Sequence, residues 1–207
     1  MKYIIGVDEA GRGPALGQMV LAGVKIPVKD LELLKDLNVR DSKKYGSQKR
    51  GKDKRAEIAK QICKIAQVRV EILSVKDVDD NNINTLELRT ARKILYSLKG
   101  EDSEIFLDGK MLFQPLQKEF NNLYALDKAD ELIDAVSAAS IVAKHFRDWL
   151  WLKIQKKYIA EFGEIKGSGY GADAIRFIEQ YFLKYNIFPC EARTSWKNVK
   201  QIKEKML

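Results

Sequence analysis

The chain has 207 residues, of which 45% are apolar and 32% are charged, and its formal net charge at pH 7 is +8. This length suits one domain with a sizeable core. The charge favours a polyanionic partner or a membrane surface, although a lysine-rich solvated surface gives the same value. One histidine and two distant cysteines exclude a zinc site, so we expect any metal to be bound by oxygen. No apolar run could span a bilayer, so we expect a soluble cytoplasmic protein.

An apolar segment at residues 3–7 predicts a buried strand that ends in two acidic residues, Asp8 and Glu9. Neighbouring carboxylates repel each other unless a proton or a cation compensates them, and Mg²⁺ prefers carboxylate oxygen. The glycines of Gly11-Arg12-Gly13 would let the backbone approach a phosphate or a sugar. The segment therefore indicates a metal-assisted reaction on a phosphodiester. A solvated turn is the alternative interpretation of the acidic pair.

Further elements follow in chain order. Apolar patterns predict strands at residues 19–26, 68–73, 104–109 and 123–126, and helices at residues 31–37, 47–66, 84–98, 135–154 and 174–185. The alternation in residues 68–73 is typical of a half-buried or edge strand. An acidic run at residues 79–84 lacks the glycine and the glutamate of an EF-hand, so it favours helix capping over calcium binding.

The helix predicted at residues 47–66 carries a basic group of residues. These are Lys49, Arg50, Lys52, Lys54 and Arg55. They could contact a polyanionic substrate or form only a solvated face, and the sequence leaves both interpretations open.

The predicted strand at residues 104–109 is the second one that runs into a carboxylate, Asp108. Functional groups gather at the carboxyl ends of parallel strands, so Asp108 can lie beside Asp8 only if the two strands are parallel neighbours. An ordinary Asp-Gly turn is the alternative.

The segment Asp8-Glu9-Ala10-Gly11-Arg12-Gly13-Pro14 resembles the signature of type 2 ribonuclease H, the ribonuclease HII family. The resemblance continues in order through residues 41–44, 108–109, 137–144, 167–170 and 193–197, and the last of these is typical of the archaeal-like branch. It implies an α/β protein with the ribonuclease H-like fold, a five-stranded mixed sheet flanked by helices. In that sheet three antiparallel strands are followed by two parallel ones. We assign residues 1–157 to the catalytic domain and residues 158–207 to a helical C-terminal appendage that contributes the substrate tyrosine.

The resemblance also implies the metal site. Asp8, Glu9, Asp108 and Asp130 would be catalytic and would bind two Mg²⁺ or Mn²⁺ ions. Asp130 is chosen among neighbouring acids because the family's acid lies seven residues before the first serine of the Ser-Ala-Ala-Ser block at residues 137–140. Asp134 lies only three residues before it and suits a helix start, where a negative charge is favourable.

The substrate contacts implied by the resemblance come from three segments. The backbone of Gly11, Arg12 and Gly13 would read the 2′-hydroxyl, Lys43 would meet the substrate backbone, and Tyr170 would lie against the sugar at the RNA–DNA junction. Residues 171–172 are Gly-Ala where the family usually has Pro-Ser. A tyrosine that only anchors a helix N-terminus is the alternative interpretation.

The implied activity is that of a metal-dependent endonuclease, ribonuclease H type 2. It would cleave the RNA strand of RNA–DNA hybrids and single ribonucleotides embedded in duplex DNA, as in DNA replication and repair, and would leave 3′-hydroxyl and 5′-phosphate ends. We expect a monomer without a sliding-clamp peptide, because no aromatic pair follows Gln201. Two other classes stay open: a catalytically silent hybrid-binding protein, and a different two-metal nuclease on the same fold.

Overall fold

A computed structural model describes residues 1–39, 46, 49–100 and 102–206. The described chain forms a five-stranded sheet in the order β3-β2-β1-β4-β5. The strands are β1 (Tyr3–Ala10), β2 (Met19–Pro27), β3 (Gln67–Leu73), β4 (Ser103–Asp108) and β5 (Leu123–Leu126). Strands β1, β2 and β3 pair antiparallel, whereas β4 pairs parallel with both β1 and β5. This confirms the predicted mixed sheet and the edge position of β3.

Helices flank the sheet and follow it towards the C-terminus. They are α1 (Leu31–Asp36), α2 (Lys49–Ile65), α3 (Val75–Asp80), α4 (Ile83–Leu98), α5 (Lys110–Phe113), α6 (Ala129–Leu132), α7 (Asp134–Phe162), α8 (Gly171–Tyr185) and α9 (Lys197–Met206). None of these helices combines the length and the apolarity that a membrane span requires.

Helix α7 packs directly on the central strand because the residues between them are small. A Cβ atom built on Gly6 of β1 would lie 2.2 Å from the backbone carbon of Ala135. Ala135, Ala138 and Ala139 are fully buried at this contact, as the predicted close packing requires. Any side chain at position 6 would therefore push α7 away from the strand that carries the acidic pair.

Three hydrophobic clusters stabilise the described part of the chain. One lies against α4 on one face of the sheet, and a second lies against α2 and α7 on the other. The third joins α7, α8 and α9 to Ala15 and Leu16, which follow the glycine turn. Helix α7 itself runs without a break through residue 157. The boundary assigned at residues 157 and 158 stays a prediction.

Two local features refine the sequence-based expectations. Strand β1 extends to Ala10, so Asp8 and Glu9 lie inside its paired end, opposite Ala22 and Leu21 of β2. The acidic pair is therefore not a solvated turn. Capping at the acidic run is confirmed, since the Asn82 side chain accepts hydrogen bonds from two backbone N–H groups at the start of α4.

Asp79 in the same run has a further role. Its two carboxylate oxygens accept hydrogen bonds from the backbone and the hydroxyl groups of both Thr194 and Ser195, over 2.6–3.1 Å. These four bonds fasten the C-terminal segment to α3.

Candidate active site

The parallel register brings the acidic strand ends together. The last paired residues of β1 and β4 are Val7 and Leu107, so Asp8 and Asp108 are the next residues on adjacent strands. The chain changes direction at the next residue, Gly109, whose φ is 109°. The condition for Asp108 to lie beside Asp8, parallel neighbouring strands, is thus met.

Asp8 is buried beneath helix α7. Burial raises the pKa of the Asp8 carboxyl well above its usual range, the charge of Glu9 raises it further, and Ser140 and Lys144 oppose the shift. Ser140 donates to the carboxylate, and its hydroxyl oxygen accepts a 2.7 Å hydrogen bond from Lys144 Nζ on the same helix. The Asp8 side chain is therefore held by α7, which the small residues keep close to β1.

Glu9 meets a different set of neighbours. Burial raises the pKa of its carboxyl, and the charges of Glu87 and Asp108 add to that rise, whereas Arg12 opposes it. Glu87 lies on α4, is 0% exposed, and accepts a 2.8 Å hydrogen bond from Arg12 Nε. The Arg12 guanidinium also donates to Asn84. Sequence reasoning missed Glu87, since a glutamate on a helix carries no local sign of burial.

The two candidate acids near the start of α7 lie in different environments. Asp108 Oδ1 accepts a 2.9 Å bond from the backbone N–H of Ala129, so the residue that follows, Asp130, lies close to the end of β4. The backbone carbonyl of Asp130 is held by the Ser137 hydroxyl. Asp134 is instead buried in the first turn of α7. This geometry favours Asp130 as the acid of the site.

The four carboxylates fit divalent cations by their chemistry. All are oxygen donors, which Mg²⁺ and Mn²⁺ prefer, and the raised pKa values of Asp8 and Glu9 reflect negative charges crowded together under burial. As placed, however, no three acidic, histidine or cysteine side chains in the described ranges converge closely enough to cage an ion. Asp8 and Asp108 accept hydrogen bonds from backbone N–H groups instead, so these carboxylates would have to turn towards a metal.

The glycine turn after β1 is held from behind by the C-terminal segment. The buried guanidinium of Arg193 donates to the carbonyl oxygens of Gly11 over 2.5 Å, Arg12 over 2.7 Å and Gly17 over 3.0 Å. Trp196 Nε1 donates to the carbonyl of Gly13 over 3.2 Å. Sequence reasoning matched residues 193–197 to a family motif without a role, and the role seen here is support of the turn.

A cleft of about 450 Å³ opens in front of this turn. Its wall includes Glu9, residues 10–12, Lys144 and Tyr170. The Tyr170 side chain is 47% exposed, and its ring lies 3.6 Å from the position that a Cβ atom on Gly13 would take. Tyr170 is also the N-cap residue of α8. Its backbone therefore lies at the helix start, as the alternative interpretation expects, while its ring faces the cleft.

The basic residues of α2 lie in different environments. Arg55 is buried and donates to Asp148 Oδ2 over 2.7 Å and to the carbonyl of Gly46 over 2.6 Å, so it joins α2 to α7 rather than forming a solvated face. Lys49 and Lys52 line a second cleft, of about 400 Å³, which meets the first one at Ser168. Lys43 lies outside the described residues.

Comparison with known proteins agrees with this architecture. A family model described as Ribonuclease HII matches residues 5–199. Ribonuclease HII of Methanococcus maripaludis strain C5 is 36% identical over 97% of this chain and 87% of its own length. The crystal structure of ribonuclease H2 from Pyrococcus horikoshii OT3 has a TM-score of 0.85 and 31% identity, covering 98% of both chains. Ribonuclease HII of Archaeoglobus fulgidus, solved as a complex with PCNA, has a TM-score of 0.79 and 29% identity over 97% of this chain and 96% of that one. The chain therefore has the ribonuclease H-like fold and belongs to the ribonuclease HII family.

Proposed function

We propose that this ribonuclease is an endonuclease that hydrolyses the RNA strand of RNA–DNA hybrids. It would also cut at single ribonucleotides embedded in duplex DNA and leave 3′-hydroxyl and 5′-phosphate ends. One observation carries this proposal: the buried Asp8 and the half-buried Glu9 adjoin a glycine turn whose carbonyl oxygens are already bonded to Arg193 and Trp196. That turn is left to act on a ligand through its amide N–H groups.

The metal site of this proposal consists of Asp8, Glu9, Asp108 and Asp130. Two Mg²⁺ or Mn²⁺ ions bound there would supply the positive charge that activates water and stabilises the leaving 3′-oxygen. In the metal-free protein Ser140 donates to Asp8 and the Ala129 N–H donates to Asp108. The Asp108 carboxylate would turn from this bond towards the ions.

Substrate selection would depend on the 2′-hydroxyl, the group that distinguishes RNA from DNA at a given position. Backbone N–H groups of Gly11, Arg12 and Gly13 can donate to that hydroxyl or to the adjacent phosphate. The exposed ring of Tyr170 offers an apolar face for the sugar, and the ring lies 3.6 Å from the position that a Cβ atom on Gly13 would take.

Duplex binding would use the basic surface without reading sequence. The chain carries a formal charge of +8, and Lys49, Lys52 and Lys166 line the cleft that continues from the candidate active site. Lysines that follow a phosphate backbone release counterions and give salt-dependent affinity. Lys43 is proposed to add a further phosphate contact.

We expect the protein to act as a monomer. The segment proposed to lack a sliding-clamp peptide, residues 201–207, is helical to Met206 as part of α9. The A. fulgidus relative was solved with PCNA, and for this chain the absence of a clamp peptide stays a prediction.

The test is cleavage of four matched duplexes: one with a single ribonucleotide, a full RNA–DNA hybrid, all DNA and all RNA. Each is incubated with Mg²⁺, with Mn²⁺ and with a chelator, and the ends of the products are identified. We expect cleavage of the first two only, and only with metal. Binding without cleavage would support a silent hybrid-binding protein, and cleavage of all-DNA duplex would support a different nuclease.

A further inference from the structure

A buried arginine on α7 connects the two loops that form the proposed ribose pocket. Arg147 is 5% exposed, and its Nη2 donates to the carbonyl of Leu16 over 2.7 Å and to the carbonyl of Ser168 over 3.1 Å. Leu16 belongs to the loop at residues 11–17, called here the glycine loop. Ser168 belongs to residues 167–170, called here the tyrosine loop. One guanidinium thus bridges the two.

The backbone of both loops closes tightly around this side chain. A Cβ atom on Gly11 would lie 2.6 Å from Arg147 Nε, one on Gly17 would lie 3.1 Å from Nη2, and one on Gly169 would lie 3.1 Å from Nη2. All three glycines have positive φ. The guanidinium therefore fills the space beneath the two loops, and the distance between them depends on its shape.

The bridge is costly for the folded protein. In the described part of the chain, Nε and Nη1 of Arg147 are buried without a hydrogen-bond partner. Burying a cation in this way is unfavourable, and a buried apolar side chain would avoid the penalty. Both bonds come from one nitrogen, Nη2, and the planar guanidinium holds its two N–H groups in fixed directions towards the two loops. A positional role accounts for this choice better than a role in stability.

Direct phosphate binding by Arg147 is less consistent with the geometry. Arg147 contributes to the wall of the first cleft, but its Nε and Nη1 are closed off from solvent. A phosphate in the cleft could not reach these two nitrogens unless the surrounding backbone moved.

We infer that Arg147 is a positioning residue that sets the spacing between the glycine loop and Tyr170, and thereby the ability to recognise one isolated ribonucleotide. This inference rests on the proposed function. A long hybrid offers many registers and many 2′-hydroxyls, so it tolerates a displaced pocket, whereas a lone ribonucleotide offers one register. The spacing should therefore affect the lone site far more than the hybrid.

The first experiment compares kcat/KM of wild type and Arg147→Lys on both substrates. Lysine keeps the charge, but its flexible ammonium neither holds two N–H groups in a fixed plane nor fills the space that the guanidinium occupies beneath the loops. We expect kcat/KM on the lone-ribonucleotide duplex to fall about a hundredfold, as for a misplaced binding group, and its ratio to the hybrid value to fall about tenfold or more. Arg92 lies on α4 and forms an exposed ion pair with Glu119. Arg92→Lys is therefore the matched control and should leave the ratio unchanged.

A second variant and a structural readout cover the case in which Arg147→Lys folds poorly. Gly169→Ala keeps the arginine but inserts a methyl 2.6 Å from the Leu16 carbonyl, so it should force the loops apart and give the same selective loss. In both variants, hydrogen exchange should be faster than in wild type at the Ala15 N–H, which donates to the carbonyl of Gly169 in the tyrosine loop. Exchange should not change at the Gly17 N–H, which donates to the carbonyl of Glu191 outside that loop.

The outcomes separate this inference from the proposed function. If wild type cleaves neither substrate, the proposed function fails and the inference with it. If wild type cleaves both, but folded Arg147→Lys and Gly169→Ala lose both activities equally or lose neither, the positioning role is wrong and the proposed function stands.

Discussion

Arg12 Nε donates over 2.8 Å to the carboxylate of Glu87, a residue 75 positions away that has no solvent exposure, whereas the arginine side chain is 43% exposed. The two partners of this ion pair therefore stand in different environments. If Glu87 is removed, Arg12 can turn to water, but if Arg12 is removed, a carboxylate is left buried with one fewer donor. Burial already raises the pKa of Glu87, and Arg12 opposes that rise.

This asymmetry predicts unequal costs for the two substitutions. We expect Arg12→Ala to lower the free energy of unfolding by about 2 kcal/mol, because a carboxylate without solvent exposure then loses its charged donor. Glu87→Gln keeps the shape and an acceptor for Arg12, so it should cost about 1 kcal/mol or less. Urea unfolding of both variants at neutral pH measures the difference, and equal costs would contradict the proposed environments.

The raised pKa values of Asp8 and Glu9 predict the pH dependence of the metal-free protein. These carboxyls keep their protons to higher pH in the folded state than in the unfolded chain. The stability that they contribute is therefore fully present below the unfolded pKa and is lost as the pH rises through the folded pKa. Near neutral pH the charged pair should destabilise the fold.

The corresponding measurement is thermal unfolding of wild type and Asp8→Asn in the presence of a chelator, from acidic to neutral pH. We expect the variant to melt higher near neutral pH, by about 2–4 °C for each kcal/mol of repulsion relieved, and the advantage to disappear in acid. Added Mg²⁺ should raise the melting temperature of wild type more than that of Asp8→Asn. A variant that melts lower at every pH would oppose this account.

The acid near the start of α7 can be identified by a matched pair of substitutions. Asp130→Asn should abolish nearly all metal-dependent cleavage, as should Asp108→Asn, because the amide keeps the shape and loses the charge that recruits a cation. Asp134→Asn should stay close to wild type in activity, since Asp134 is buried in the first helical turn. Steady-state cleavage of an RNA–DNA hybrid is the assay, and the reverse pattern would transfer the role to Asp134.

The basic residues of α2 should separate by their environment. Lys49→Ala and Lys52→Ala should each reduce the slope of log affinity against log salt by about one phosphate contact. The same change is expected for Lys43→Ala. Arg55→Ala should instead reduce stability with little change in slope, because Arg55 is bonded to Asp148 and Gly46. A binding titration at several salt concentrations checks this, and a flat profile for wild type would assign the net charge to solubility alone.

The sequence predicted the sheet and the acidic strand ends well because both depend on local pattern. An apolar strand followed by acids is visible within ten residues, and parallel pairing then brings Asp108 beside Asp8. The support of the site was not predictable in this way. Arg193 reaches the Gly11 carbonyl across 182 positions, and Arg147 reaches Leu16 across 131. Contacts between a side chain and a distant part of the backbone produce no periodic pattern in the sequence. Arginine side chains are mostly exposed in proteins, so the sequence predicts an exposed position for each of them.

The last prediction concerns Gly13 and Tyr170, the two sides of the proposed sugar pocket. Gly13 has no positive φ, and a Cβ atom there would make only an ordinary 3.6 Å contact with the Tyr170 ring. Gly13→Ala should therefore fold with nearly normal stability. Gly11→Ala should be much less stable, because it combines a φ of 82° with a 2.6 Å approach to Arg147. Thermal unfolding of the two variants tests this contrast.

In activity, Gly13→Ala should resemble Tyr170→Ala, because the added methyl occupies the space that the sugar would need beside the ring. Both should lose cleavage at a lone ribonucleotide by about ten- to a hundredfold, the value of one lost stacking contact of about 1–3 kcal/mol, and lose much less on a long hybrid. Tyr170→Phe keeps the ring and serves as the matched control. If Tyr170→Ala loses both activities equally, or neither, then Tyr170 only anchors α8 and the junction must be read by other groups.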